Sequence, residues 1–279
     1  VRVVVDSTAD IPPALAAELD ISVVPCQIYL GDTAYEDGLD LEPYMFYRRM
    51  ASSPSLPRTS QPPIRSFVEI YRRLVEAGKE IVSIHVAGNL SGTINAAWAA
   101  AQMLPDPSWV EIIDSGQLSM GLGWAAIQAA RMAKAEAPRE EIVEAVQAQL
   151  PRLRTVAMID TLTYLYKGGR ISQVTAILGT ALHLKPLLAV QGGQVSVLGQ
   201  VRTRGRAVKR LAMLVQEWGR LSEVAVMHTG AEELAESLVR LLEATFPADS
   251  MLVEPAGAAL AAHLGLGAVG VCALLADSS

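Results

Sequence analysis

The chain has 279 residues, 51% of them hydrophobic and 19% charged, with a formal net charge of −6. That length suits two domains of ordinary size, and the acidic balance speaks against a broad nucleic-acid footprint, which needs clustered excess Lys and Arg. No apolar run approaches the length that crosses a bilayer, so stable membrane insertion is not expected. The surplus apolar residues can fill large cores, cover a subunit interface or line a lipophilic pocket. Cys26 and Cys272 stand in apolar surroundings without metal-ligand spacing, and the first residues lack a signal-peptide pattern. The expectation is two buried thiols in a cytoplasmic protein.

Val1 to Val5 reads as a strand, followed by the polar loop Asp6-Ser7-Thr8-Ala9-Asp10 and a helix opening at Pro12-Pro13. Ile21 to Leu30 reads as a second strand, Gly31 to Asp40 as a polar, turn-rich stretch, and Glu42 to Met50 as a short helix. Ser52 to Pro63 carries four prolines and several hydroxyls and reads as a loop. Its Thr59-Ser60 pair suits solvated turn hydroxyls or ligand donors. Ile64 to Ala77 is helical, and Ile81 to Val86 is a β-branched run leading into Ala87-Gly88-Asn89-Leu90-Ser91-Gly92-Thr93 and an Ala-rich helix. This order places Ser91 at a helix N-terminus, where it either caps the helix or joins its free N–H groups in binding an anion.

Trp109 to Ile113 is a strand ending in Asp114-Ser115, and Leu118 to Ala135 is a long helix. Strands alternating with helices imply a largely parallel sheet, with ligands gathered at the carboxyl ends of its strands. Arg139 to Leu150 is an amphipathic helix between prolines, and a junction between domains 1–150 and 151–279 is expected there. The second half starts with the strand Thr155 to Asp160 and a short helix broken at Gly168-Gly169. A β-hairpin follows, Leu184 to Val190 and Gln194 to Val201 around Gly192-Gly193. Arg202, Arg204, Arg206, Lys209 and Arg210 form the densest basic run. Basic residues at a helix start oppose its dipole, which hints at an anion or acidic partner.

Gly265-Leu266-Gly267-Ala268-Val269-Gly270 matches the dinucleotide fingerprint in letters only. The chain after it reads as a strand, with no room for the helix and the distant acid the motif needs. Neither NAD binding nor a metal site is expected, since the His spacing of a metal site is absent. His85 reads as a satisfied core residue, and His183 and His228 as structural. His263, in a Gly-rich loop, stands open between a structural and a ligand-facing role. Ser91 with His263 as base would make an acyl hydrolase. An anion- or sugar-phosphate-binding regulator is a third reading.

Several segments together resemble the DegV family of bacterial fatty-acid-binding proteins. They are Asp6-Ser7-Thr8-Ala9-Asp10, Arg58-Thr59-Ser60-Gln61-Pro62, Leu90-Ser91-Gly92-Thr93, Asp114-Ser115, Tyr164-Leu165-Tyr166-Lys167-Gly168-Gly169-Arg170-Ile171, Lys185-Pro186-Leu187-Leu188 and the His263 loop, in the family's order. The resemblance implies two α/β domains, the first with a mainly parallel sheet flanked by helices, and one long-chain fatty acid in a tunnel at the domain interface. It implies a carboxylate held by Thr59 and Ser91, with Arg170, Arg202 and His263 near the carboxylate end or on a partner-facing surface. The implied ligand-binding set is Thr59, Ser60, Ser91, Gly92, Thr93, Arg170, Arg202 and His263. No catalytic residue or cofactor is implied, only a carrier that presents its fatty acid to a separate fatty acid kinase, for acyl phosphate formation in phospholipid metabolism. Ala87-Gly88 stands where the family usually has serines, and Leu264-Gly265-Leu266-Gly267 where it usually has Thr-Gly-Pro-Gly, so fewer hydroxyls surround the implied head group.

Overall fold

The computed structural model describes residues 1–170 and 184–277; Ile171 and His183 lie outside the described residues. The first half runs β1 (Arg2–Asp6), α1 (Pro13–Glu18), β2 (Ile21–Val24), β3 (Gln27–Leu30), β4 (Thr33–Glu36), α2 (Pro43–Ser52), β5 (Arg58–Ser60), α3 (Ile64–Glu76), β6 (Ile81–His85), α4 (Thr93–Ala101), β7 (Val110–Asp114), α5 (Met120–Lys134) and α6 (Arg139–Gln149). The second half continues with β8 (Leu153–Met158), α7 (Thr163–Lys167), β9 (Lys185–Gln191), β10 (Gln194–Val201), α8 (Arg204–Gln216), β11 (Leu221–His228), α9 (Glu232–Leu242), β12 (Leu252–Pro255), α10 (Ala258–Leu264) and β13 (Val269–Leu275). Among the described residues, no helix is long and apolar enough to cross a membrane.

Four strands in the order β2-β1-β6-β7 form a wholly parallel sheet. Its central strand β6 is buried at every position, as a parallel strand covered by helices on both faces requires. The stretch Ile21 to Leu30 is two strands rather than the one expected. Pro25 has no N–H to give a ladder, and past it β3 joins a separate antiparallel sheet in the order β4-β3-β5. The turn-rich stretch after Leu30 supplies β4, reversing at Gly31 with φ 60°. The Pro-rich segment expected to be a loop supplies β5, which pairs Thr59 with Ile28.

Six strands in the order β10-β9-β8-β13-β11-β12 make the second sheet. Only β11 and β12 run parallel there, so the parallel arrangement expected from alternating elements belongs to the first half alone. The hairpin between β9 and β10 turns at Gly192 and Gly193, both with positive φ, the backbone that two-residue hairpins need.

Two helices tie the halves together. α5 is buried from Met120 to Ala130 except at Gln128. It packs with Val3, Val5, Val82 and Ile84 of the parallel sheet and with Leu153, Met227 and Cys272 of the other. α10, late in the chain, packs through Ala258 and Ala262 against Cys26, Ile28, Phe46 and Tyr47 of the first half. Both cysteines are buried free thiols, as expected.

Candidate ligand-binding site

Strand β5 carries Thr59 beside α10, where its Oγ1 lies 2.7 Å from His263 Nε2. Strand β6 ends in a tight turn in which the Ala87 carbonyl accepts from the N–H groups of Leu90 (2.9 Å) and Ser91 (3.2 Å). Ser91 Oγ then accepts from Thr93 N–H at 3.3 Å and lies 2.8 Å from Thr93 Oγ1. Helix α4 starts at Thr93 with Gly92 as its cap residue. Ser91 therefore stands one position ahead of the expected cap, in a hydroxyl turn that still serves the first helical N–H. Thr93 is buried beneath it. A side-chain carbon on Gly92 would fall 2.0 Å from Gln61 Oε1, so Gly92 is where the Gln61 side chain crosses from β5 to the start of α4.

Arg170 links the same loops, donating from Nη1 to the Gly168 carbonyl at 2.6 Å and from Nε to the Leu90 carbonyl at 3.3 Å. Thr59, Ser60, Gln61, Ser91, Arg170 and His263 form the polar wall of a cavity of about 640 Å³, faced by Val86, Leu90, Leu118, Leu260 and Leu264. A second chamber of about 370 Å³ shares Leu118, Leu260 and Leu264 with it. The three hydroxyls lining that chamber are already committed: Ser119 Oγ donates to Asp10 Oδ2 at 2.7 Å, Thr155 Oγ1 to Gln117 Oε1 at 2.9 Å, and Thr229 Oγ1 to the Gly265 carbonyl at 2.7 Å. What remains for a ligand there is mostly carbon and sulfur surface beside the His228 ring. On the outer side, a vestibule of about 670 Å³ shares Thr59, Arg170 and His263 and adds Arg58 and Lys167, with no carboxylate among its described lining residues.

Burial, assisted by the nearby Arg170 charge, pushes the His263 imidazole down to about 4, so it is neutral at pH 7. Its Nδ1 has no hydrogen-bond partner among the described residues and points at Gly168, where a side-chain carbon would stand 2.7 Å away.

Of the expected site residues, Thr59, Ser60, Ser91, Arg170 and His263 meet in one chamber. Gly92 and Thr93 support Ser91 from behind. Arg202 is exposed in the turn before α8 and lines none of the three spaces. Within the basic run, Arg204 is engaged in a bidentate pair with Asp160, which Lys185 also approaches at 3.1 Å. Burial pushes Asp160 up, and these two cations more than reverse it. Thr8 and Gln61 are polar lining residues that sequence reasoning did not single out; their signal was membership of the quoted motifs, Gln61 beside Thr59-Ser60 and Thr8 within Asp6 to Asp10. His85 is the satisfied core residue expected, with Nδ1 3.0 Å from Asp6 Oδ2 and Nε2 2.8 Å from Ser83 Oγ. His228 Nδ1 accepts from Ala231 N–H at 3.3 Å. The Gly265 to Gly270 segment follows a helix and enters β13, the reverse of a dinucleotide fingerprint's order.

Compared with known families, the model described as "Uncharacterised protein, DegV family" matches residues 1–276. The chain belongs to the DegV family. A DegV domain-containing protein of Streptomyces coelicolor is 36% identical to this DegV chain, with 97% of each covered. The solved structure of a DegV family protein from Thermus thermophilus, described as showing fatty acid binding, is 29% identical, covers 99% of both chains and superposes with a TM-score of 0.91. DegV of Bacillus subtilis, described as a fatty acid binding protein, is 30% identical over 99% of both chains, with a TM-score of 0.88.

Proposed function

We propose that this chain binds one long-chain fatty acid between its two halves, 1–150 and 151–279. The carboxylate lies against Thr59, Ser60 and Ser91, and the acyl chain runs past Leu118, Leu260 and Leu264 into the apolar chamber. The observation that carries this reading is that a hydroxyl-lined chamber shares the walls Leu118, Leu260 and Leu264 with a second, mostly apolar one whose hydroxyls are internally hydrogen-bonded. A ligand with one anionic end and a long hydrocarbon body fits that sequence of surfaces. The relatives described as fatty acid binding support it.

Burying about 16 carbons at roughly 0.8 kcal/mol per methylene offers on the order of 10 kcal/mol before ordering costs. Head-group hydrogen bonds of about 1–3 kcal/mol each serve orientation and keep the carboxylate from being buried unpaired. Neutral His263 completes the donor set. With its proton on Nε2 it donates to Thr59 Oγ1, which frees the Thr59 hydroxyl proton for a carboxylate oxygen. The unprotonated Nδ1 is then the atom left without a partner, the less costly choice because an unmet acceptor is better tolerated than an orphaned N–H.

The cationic vestibule suits an incoming phosphate donor. In this reading the chain is a cytoplasmic carrier without catalysis of its own, and a separate fatty acid kinase docks at Arg58, Lys167 and Arg170. A carboxylate oxygen attacks the donor's terminal phosphorus, forming acyl phosphate as the nucleoside diphosphate leaves. The hydrolase alternative finds less support, because His263 Nε2 is engaged by Thr59 and Ser91 Oγ by Thr93.

Native mass spectrometry of the purified chain tests the reading. A co-purifying fatty-acid mass that is lost in the Thr59→Ala/Ser91→Ala double variant supports it. Absence of lipid from the unaltered chain, or ester turnover abolished by Ser91→Ala, overturns it.

A further inference from the structure

Helix α10 brings Leu260, His263 and Leu264 to the ligand chambers, yet its first turn is held by carboxylates from the other half of the chain. Asp10 Oδ1 accepts from Gly257 N–H at 2.9 Å. Asp37 accepts from the next two, Ala258 N–H at 3.0 Å and Ala259 N–H at 3.4 Å. These are consecutive donors that a helix start leaves without partners. Ser119 Oγ donates to Asp10 Oδ2 at 2.7 Å and Ser7 Oγ to Asp37 Oδ2 at 2.8 Å, so each carboxylate is also fixed from its own side. Gly257 makes room for both: a side-chain carbon there would stand 2.9 Å from Asp10 Oδ1 and 3.4 Å from Asp37 Oδ2. One neutral Ser or Asn caps a helix of this length; two crowded carboxylates exceed what capping needs.

The surroundings add negative charge and, among the described residues lining the groove, no compensating cation. Asp6 from β1, itself paired with His85, faces both carboxylates, as do the Cys26 thiol and the Tyr47 hydroxyl of α2. Cys272 of β13 lies on the Asp10 side. Glu42, Tyr44 and Glu254 line the groove of about 1490 Å³ onto which Asp10 and Asp37 open, and among its described lining residues there is no Lys, Arg or His. His263 stands at the opposite end of α10.

We propose that Asp10 and Asp37 are positioning residues which act through α10 to make retention of the bound ligand proton-dependent. The proposal rests on the fatty-acid reading above for the identity of that ligand. With α10 seated over them, Asp37 is buried and Asp10 half-buried, and this burial outweighs the hydrogen bonds, pushing Asp10 up to about 7 and Asp37 up to about 6. With α10 displaced, both carboxylates are more fully hydrated and move towards the ordinary 3.8. The seated arrangement holds more protons, so by linkage it is favoured as pH falls through 7 and then 6, and disfavoured as pH rises through the same window. His263 titrates near 4, outside that window. A mildly acidic surface therefore keeps the chambers closed over their ligand, and a neutral-to-alkaline one loosens them.

The test is transfer of oleate from the purified full chain to excess albumin between pH 5.5 and 8. The original chain is expected to release oleate about tenfold faster at pH 8 than at pH 5.5, and the Asp10→Asn/Asp37→Asn variant to change by less than about twofold. Titration of the oleate itself is common to both proteins and cancels in the comparison. Equal pH profiles in the two proteins overturn the proposal, since carboxylates with a merely structural role would change the rate alike at every pH. If the double variant does not fold, Asp10→Asn alone is expected to shift the midpoint of the profile towards pH 6, and an unshifted midpoint overturns the proposal. Amide hydrogen exchange of residues 257–263 in the oleate-free protein, corrected for intrinsic rates, reads the same switch without ligand. There protection rises as pH falls if the proposal holds, and a flat response sinks it. Failure of oleate to bind at any pH counts against the fatty-acid reading, and the exchange experiment then decides this proposal separately.

Discussion

Thr59 shows what a single side chain would contribute in the proposed site: one hydroxyl would accept from a neutral imidazole and offer its proton to the carboxylate. Thr59→Val keeps the shape and removes the donor, and loss of one such bond to a charged group is worth about 1.5–3 kcal/mol. Fatty-acid affinity is expected to fall at least about tenfold by isothermal titration, and because the substitution also takes the acceptor from the His263 N–H, stability is expected to fall by about 1–3 kcal/mol in urea denaturation. Asp6 contributes in the opposite way, to stability and not to binding. Burial pushes its carboxyl up, but hydrogen bonding and charge from His85, with the Thr8 hydroxyl and Val86 N–H, hold it below the ordinary range. Its contribution is therefore present above 3.8 and lost as pH falls through the lower folded value. Asp6→Ala strands His85 in the core and is expected to cost about 3–5 kcal/mol in urea denaturation. Residue identity carried Thr59, Ser91, Arg170 and His263 into the sequence reading through motif order. It could not place Arg202, because reach and direction in a turn are set by neighbours such as the Arg204–Asp160 pair.

At the scale of elements, strands of five residues or more with β-branched runs, β1, β6, β7 and β8, were legible from composition, as was the hairpin at Gly192-Gly193. The short strands β4 and β5 were not, lying in stretches read as turns and loop and too short for a period to register, and the break between β2 and β3 at Pro25 was missed. Antiparallel pairing of β8, β13 and β11 was likewise hidden, since strand propensity does not distinguish direction. Helix α5 was read simply as a long helix, but its glycines are sites of close approach. A side-chain carbon on Gly123 would stand 2.7 Å from Met120 Sδ and 2.9 Å from the Ala9 carbonyl oxygen. Backbone cannot yield as a flexible side chain can, so Gly123→Ala is expected to lower stability by about 1–3 kcal/mol despite the better helix propensity of Ala. A fall in the urea midpoint with an unchanged slope is the measurement.

For the whole molecule, ligand and fold are linked through the helices that wall the chambers. A ligand present at a hundred times its dissociation constant adds about 2.7 kcal/mol, so stripping the lipid is expected to lower Tm by roughly 5 °C in differential scanning calorimetry. Readdition of oleate restores it. Two of the spaces also divide the molecule by charge along α10. The cationic vestibule lies at its C-terminal end and the acidic groove at its N-terminal end, each opposite in sign to the helix dipole there and so favoured by it.

The sharing of α5 between the two sheets reaches beyond stability into how this chain can be divided. Separately expressed fragments 1–150 and 151–279 would each present half of a common interior to water, and are expected to aggregate alone and to regain a soluble, lipid-binding particle when co-expressed. Neither half is a portable module that recombination could lift into another protein. The pair is joined along one alanine- and glycine-rich helix.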